Sequence, residues 1–326
     1  MGKEYRLEPA ELGDSWDHFI QASDCGTVFC LTPYLRHVNA RIAPYWCFNK
    51  GERRAAVLMV EDGAGSAILH DFVIYNGVVF GSATHRQNRS QQLSERFEIS
   101  AFLAAELAAR YRAVAVSLSP AVVDIRAFLW FNHGTDGPKY VPDVRYTSYV
   151  SIADFRGAAK LKDIELYHAA SAARRQEIRY GIGSGAVTRE EFDAVRFVSF
   201  YNATMKRQQI AVEDSVREEM RRLIIGLHEA RLARMFVSYT ADGMLGSMAL
   251  MATDAKRGYY VFGANDPSLR DSHTGTTVLW DAFRMLAADG VSEVDLEGVN
   301  SPKRGWFKLS FGGSIVPYYQ FRLRQP

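Results

Sequence analysis

The stretch 290–321 constrains this chain most: a strand pattern ends on acids and is followed by a lysine set among aromatic residues and glycines. Val291, Val294 and Leu296 are set against Ser292, Glu293 and Asp295, a pattern suited to a strand. The strand delivers Asp295 and Glu297, then Gly298. A polar loop leads on to Gly305-Trp306-Phe307-Lys308, with Phe311-Gly312-Gly313 directly behind. Glycines let backbone approach a ligand closely, and a partly desolvated lysine can stabilise developing negative charge. That is a poor design for a purely structural loop. Lys308 is expected either to contact developing charge or to form a structural ion pair with Asp295.

With 326 residues the chain is long enough for two ordinary domains or one large one. A hydrophobic content of 48% with 23% charged residues reads as a soluble globular protein with a real core. The net charge of +2 gives no reason to expect DNA as a partner. The first sixteen residues have no apolar core and so do not read as a signal peptide. No apolar run approaches the ~18–20 residues of a membrane span. Cys25, Cys30 and Cys47 fit reduced thiols better than a disulfide framework, which points to the cytoplasm. No histidine or cysteine cluster has ligand spacing, so no metal is expected.

Taken in order, Trp16, Phe19 and Ile20 sit at helical spacing, and Thr32-Pro33 reads as a cap and first turn. Strands are expected at 45–48 and 55–60, and Asn76-Gly77 signals a hairpin within 71–80. Leu93, Phe97, Phe102, Leu103 and Leu107 predict a helix over 91–111, feeding a strand at 114–118. Arg126 is expected to form a buried ion pair with Asp124. A strand follows at 146–152, then a helix over 158–180 that carries Arg174, Arg175 and Arg179 ahead of a flexible glycine turn at 181–185. Those arginines are either a solvated face or convergent on one anion. Thr188–Glu191 and Ser215–Glu218 read as capping boxes that open two helices, the first running to about Gln208. A three-strand meander, a helix over 276–288 and the acid-tipped strand complete the pattern. Helix end, turn and apolar strand recur at 110–118 and 288–296.

The closing stretch resembles the FemAB-like branch of the Gcn5-related N-acetyltransferase (GNAT) superfamily. The matching residues are Asp295, Gly298, Gly305, Phe307, Lys308, Phe311, Gly312 and Gly313, with Glu297 standing where a small residue is more usual. Asp124-x-Arg126-x-Phe128-x-Trp130 followed by Tyr146-Thr147-x-Tyr149 resembles the same family. The resemblance implies an α/β (α+β) fold of two tandem GNAT-like domains, each a mixed, mostly antiparallel sheet flanked by helices. The expected boundaries are 1–150 for the N-terminal domain and 151–326 for the C-terminal domain carrying the donor site.

In a GNAT-like domain two neighbouring strands splay, the acyl donor lies in the gap, and its pyrophosphate rests on the following helix N-terminus, where free N–H groups and the dipole attract an anion. Here that helix start would place Arg270, Thr274, Gly275 and Thr276 on coenzyme A, with Asp271 or Ser272 as a plain N-cap in the alternative. Amine acylation also needs a proton acceptor, for which Asp295, Glu297 and His273 are candidates, and a charge stabiliser, for which Lys308 is the first choice. Tyr260 and Asn265, at the mouth of a strand over 259–265, would line the substrate cleft. Tyr201, Thr204 and Arg207 share a helix face that resembles the family's acceptor-side segment.

The expected activity is N-acyl transfer from a coenzyme A thioester to a primary amine, a nucleotide-linked amino sugar being one candidate acceptor. Two alternatives stand beside it. One is an aminoacyl-tRNA-dependent transferase acting on a peptidoglycan precursor, as in the family's best-known members. The other is a non-catalytic binding module of the same fold.

Overall fold

The computed structural model describes residues 5–82, 87–207 and 209–324. The expected helix end at Gln208 therefore lies outside the described residues. The chain divides into two compact units, Met1–Arg145 with Pro317–Pro326, and Tyr146–Val316.

The first unit contains β1 (Tyr5–Pro9), α1 (Asp14–Ala22), α2 (Thr32–Leu35), β2 (Arg41–Asn49), β3 (Glu52–Glu61), β4 (Ser66–Ala67), β5 (Gly77–Phe80), α3 (Arg89–Arg110), β6 (Ala113–Ser117) and α4 (Arg126–Leu129). Its sheet runs β1-β2-β3-β4-β6, with β5 also on β3. Lys50 and Gly51 join β2 to β3 with φ of 51° and 81°, the mirror-image turn whose twist suits a hairpin. Ala55 to Val60 of β3 are buried throughout, which explains a continuous apolar run in place of alternation. α3 opens from Asn88, whose side chain accepts the Gln91 N–H while Gln91 returns the bond.

The second unit takes over within β7 (Val141–Ser151) and continues through α5 (Glu165–Ala169), α6 (Ala172–Gly183), β8 (Val187–Glu190), α7 (Ala194–Arg207), α8 (Asp214–Glu229), β9 (Ala233–Tyr239), β10 (Leu245–Thr253), β11 (Gly258–Asn265), α9 (Thr274–Ala288), β12 (Glu293–Asp295) and α10 (Pro302–Leu309). The sheet order is β7-β12-β11-β10-β9-β8, antiparallel except for β11 with β12. α9 lays Val278, Leu279, Phe283 and Leu286 on Phe236, Met251 and Val294. Each fully buried side chain of that size contributes about 1.5–3 kcal/mol. The last strand, β13 (Ser314–Arg324), begins here, and from Gln320 it pairs antiparallel with β6 of the first unit.

Several local expectations are corrected. The helix expected over 158–180 is shorter and in two pieces: it starts only at Glu165, after a tight turn at Leu161–Asp163, and Ser171 interrupts it, its side chain accepting the Arg174 N–H to cap α6. The glycines at 181 and 183 lie inside α6, not in a flexible turn. A Cβ on Gly181 would stand 2.2 Å from Thr277 Oγ1, so glycine is required for the close approach of α9. Thr188 to Glu190 form an edge strand on β9, and α7 is opened by Asp193, which accepts the Arg196 N–H at 2.9 Å. α8 starts at Asp214 with Glu213 as its N-cap, and the Ser215 hydroxyl donates to Glu213. Asn76-Gly77 makes no hairpin, because β5 pairs with β3 and the Asn76 Oδ1 accepts the Ser117 N–H. Thr32 is the first residue of α2 and its N–H donates to Asp17; Leu31 is the N-cap. Arg126 does pair with Asp124 at 2.7 Å, but on the surface, under the rings of Phe97 and Trp130. Gly305 to Lys308 belong to a helix rather than a loop.

Candidate active site

The parallel pairing of β11 with β12 is confined to Gly258 with Val294 and Tyr259 with Asp295. β11 then runs on for six residues, and its register against β10 slips so that Val261 is an extra residue between Tyr260 and Phe262. The two strands therefore part at Tyr259 and Asp295, and the wedge they leave receives side chains from Tyr260, Glu297 and Lys308.

Asp295 is fully buried and fixes the turn at the end of β12. It accepts the Thr147 hydroxyl, and its Oδ1 accepts the Glu297 N–H at 2.8 Å. Glu297 and Gly298 follow with φ of 49° and 38°, the left-handed region that costs a side-chain-bearing residue roughly 1–2 kcal/mol. This backbone turns the Glu297 side chain inward, where it is 5% exposed and its Oε1 has no hydrogen-bond partner. Lys308 reaches in from α10: its Nζ donates to the Glu297 carbonyl at 2.8 Å and stands 5.2 Å from the centre of the Tyr260 ring. Gly305 permits this approach, since a Cβ there would stand 2.6 Å from the Val299 carbonyl oxygen.

Burial dominates the electrostatics of the wedge. It raises the Glu297 carboxyl well above its ordinary value, the neighbouring Asp295 charge adds to the rise, and Lys308 opposes it. Burial also pulls the Lys308 ammonium down to about 8, against the attraction of Glu297 and Asp295. A carboxyl shifted upward and an ammonium shifted downward thus stand near each other, a combination suited to acid–base work. The Tyr260 phenol is raised by burial, so it stays protonated and can donate.

The other expected residues fall into separate groups. At the first turn of α9, the Thr274 hydroxyl receives that of Ser247 at 3.0 Å, and the Thr276 hydroxyl receives the Arg174 guanidinium. Gly275 faces the Asn265 side chain, while Arg270 is exposed on the turn Pro267–Ser272. Asn265 also accepts Ser247 at 2.8 Å, and its backbone is held by Thr204, which ties α7 to the end of β11. Tyr201 meets Phe262 edge-on, at the rim of the wedge, and Arg207 is exposed at the end of α7. His273 is the N-cap of α9 with φ of 60°, and its Nδ1 bonds Glu177 at 2.8 Å. None of the contacts described for His273 involves Lys308 or Glu297. Asp271 and Ser272 do not cap α9.

The three arginines of α6 do not converge. Arg174 lies between the rings of Phe307 and Phe311, at 4.5 and 4.6 Å, and bonds Ser310 and Thr276. Burial lowers it to about 10. Arg175 bonds backbone carbonyls of His168 and Ala170, and Arg179 bonds the Tyr167 hydroxyl. Arg174 thereby fastens α10, which carries Lys308, to the first turn of α9, a role that helix periodicity could not indicate. Ser247 and Glu177 were likewise invisible in sequence, being ordinary polar residues brought in from distant elements, and Thr147 stood out there only as part of a family-like pattern, without a role. Among the described residues, no three His, Cys, Asp or Glu side chains gather as metal ligands, and no helix is long and apolar enough to cross a membrane.

Comparison with known proteins bears on this geometry. Residues 167–304, which hold α9, β12 and the start of α10 but stop short of Lys308, match the model of the acetyltransferase (GNAT) domain. The fold of the whole chain is that of FemX, with a TM-score of 0.63 at 13% identity over 96% of each chain. It is also shared with a conserved protein of unknown function from Bacteroides thetaiotaomicron (TM-score 0.58, 12% identity, 98% of this chain and 100% of that one). A tandem GNAT protein from the clavulanic acid biosynthesis pathway has it too (TM-score 0.52, 10% identity, 99% and 98%). No curated protein matches the chain. The class is thus a GNAT acyltransferase fold. Residues 167–304 match a GNAT domain, and the whole chain shares its fold with FemX and with the tandem GNAT protein, the fold its closing motif implied.

Proposed function

We propose that the protein is an N-acyltransferase that joins an activated acyl group to a primary amine at the wedge between β11 and β12. The observation that carries this reading is the buried Glu297 carboxyl, one oxygen of it left unbonded, with the half-buried Lys308 ammonium held on the same residue's carbonyl at 2.8 Å. The amine nitrogen attacks the thioester carbonyl, the Glu297 carboxylate takes the amine proton, and the Lys308 ammonium faces the oxyanion. Collapse breaks the carbon–sulfur bond, and the thiolate leaves with a proton, for which the Tyr260 phenol is a donor. No acyl-enzyme is needed. Asp295 acts through the Glu297 backbone and is a positioning residue. The donor in this reading is an acyl-CoA held near Thr274, Gly275 and Thr276, in accordance with the acetyltransferase domain that residues 167–304 match.

One observation weighs against an acyl-CoA held at this helix start and so keeps beside it the second reading, an aminoacyl ester on tRNA as donor. The Thr274 and Thr276 hydroxyls are already bonded within the protein. The groove of about 350 Å³ beside them is lined by Asp242 and Asp271 and by no lysine or arginine. Such a surface offers little to the phosphates of coenzyme A. For a nucleotide-linked sugar as acceptor, Lys206 and Arg207, both exposed at the end of α7, are cations that remain available, because the α6 arginines are engaged. We place the activity in the cytoplasm, a setting the three free, buried cysteines support.

The test is thiol release from acetyl- and longer acyl-CoAs, run beside deacylation of charged tRNA, each with a panel of primary amines. Amine-dependent turnover of either donor, lost in Lys308→Met and Glu297→Gln, supports the proposal, and the donor that turns over selects between the readings. Turnover that persists in both variants would refute it.

A further inference from the structure

A groove of about 390 Å³ opens beside the wedge, on the flank of β12 that faces β7. One wall is the face of α10 that carries Pro302, Trp306 and Leu309, spaced by four and three residues; the other is Val299 and the Tyr146 ring. Lys308 lies about 200° around the helix from Trp306, so α10 sends its lysine into the wedge and its tryptophan into the groove. Trp306 is 75% exposed, the largest exposure among the large apolar side chains of the described residues. The floor is pinned. The Asn300 Oδ1 accepts the Tyr146 N–H at 2.7 Å, and the Asn300 Nδ2 donates to the Tyr146 carbonyl at 2.9 Å.

We infer that this groove receives the body of the acceptor, and that the acceptor is an amine carried on an uncharged, apolar alkyl or aryl group. The inference rests on the acyl-transfer reading and specifies its substrate class. Three features point this way. Among the described residues no charged side chain lines the groove, so a phosphate or carboxylate there would meet no counter-charge from them. The Asn300 amide is already bonded on both sides, leaving the Ser301 and Tyr146 hydroxyls as the side-chain partners for a sugar's several hydroxyls. The groove also lies close to the wedge: Val299, in its wall, is two residues from Glu297, a span of at most about 7 Å, so a short linker from a seated body would cover the distance to the unbonded carboxyl oxygen. Because β12 lies between β11 and β7, acceptor and donor reach its end from opposite flanks, as direct attack requires.

Calorimetric titration of the full chain, without any donor, tests this with n-octylamine, 4-phenylbutylamine, glucosamine and glucosamine 6-phosphate. The two apolar amines bind saturably. Trp306→Ala weakens them about tenfold while Trp306→Phe restores most of the loss, as expected for an aromatic contact. Both sugar amines bind at least about tenfold more weakly than 4-phenylbutylamine. Equal or tighter binding of either sugar amine, no binding of the apolar amines, or unchanged binding in Trp306→Ala overturns the inference. The readout is independent of catalysis. Apolar amines that bind through Trp306 while no donor is ever turned over would sink the transfer reading alone. Full-rate transfer to a sugar amine by Trp306→Ala would sink this one alone.

Discussion

Replacing Lys308 by methionine should separate stability from function, and the structure supplies the magnitude. Burial takes this ammonium from an ordinary 10.5 to about 8 in the folded chain. Above pH 8 the folded protein releases a proton that the unfolded chain still holds, so wild-type stability rises with pH until the unfolded value is passed. With those two values, the gain between about pH 7 and about pH 9.5 is about 2 kcal/mol. Methionine has no proton to release, so its variant lacks this gain. Glu297, already raised by burial, loses its neighbouring cation and is pushed further up, which drives the difference the same way. Near pH 7 the variant loses a charge-assisted hydrogen bond, ~1.5–3 kcal/mol, but also the cost of burying a cation. It should therefore match the wild type within about 1 kcal/mol. Urea unfolding followed by tryptophan fluorescence at the two pH values measures this directly. Wild type should become more stable than the variant by about 2 kcal/mol at the higher pH, while acyl transfer in the variant falls roughly 10²–10³-fold. Parallel stability curves for the two proteins across this range would mean that Lys308 is not desolvated as described, and the argument for its charge role would go with it.

Glu297→Gln should lower kcat by at least about 10²-fold and abolish the acidic limb of the pH–rate profile. Its stability near neutral pH should be unchanged or higher, because a buried carboxyl raised above its ordinary value lowers stability as pH rises toward its folded value. Asp295→Ala should behave oppositely, costing about 2–3 kcal/mol in urea unfolding, because the Thr147 hydroxyl and Glu297 N–H lose a buried acceptor. Gly312→Ala places a Cβ 2.4 Å from the Ala169 carbonyl carbon at a φ of 86°, and should lower stability by at least about 2 kcal/mol. Gly51→Ala, with nothing within 4 Å of its Cβ, should show the smaller penalty of a positive φ alone, ~1–2 kcal/mol. Comparing their midpoints tells close packing from backbone strain.

Much of this was legible in the residues themselves. The acid-tipped strand, the meander before α9, and a lysine set among Phe307, Phe311 and glycines all follow from local pattern, because periodicity and glycine placement report which backbone can exist where. Where the local signals misled, a tertiary partner had overridden them. Thr188 to Glu190 carry a good capping pattern, yet they pair with β9 because a sheet edge offers more hydrogen bonds than a cap. Ser171 splits one periodic run because the chain must deliver Arg174 to Phe307 and Phe311. The roles of the two acids were open in sequence, since Asp295 and Glu297 are neighbours with the same chemistry. Only the folded turn distinguishes them: Asp295 accepts two bonds in full burial, while the left-handed backbone at Glu297 leaves its Oε1 unbonded beside Lys308. Sequence determines which groups are available, and burial, a long-range property, decides which of them is left with an unbonded oxygen and a shifted proton affinity.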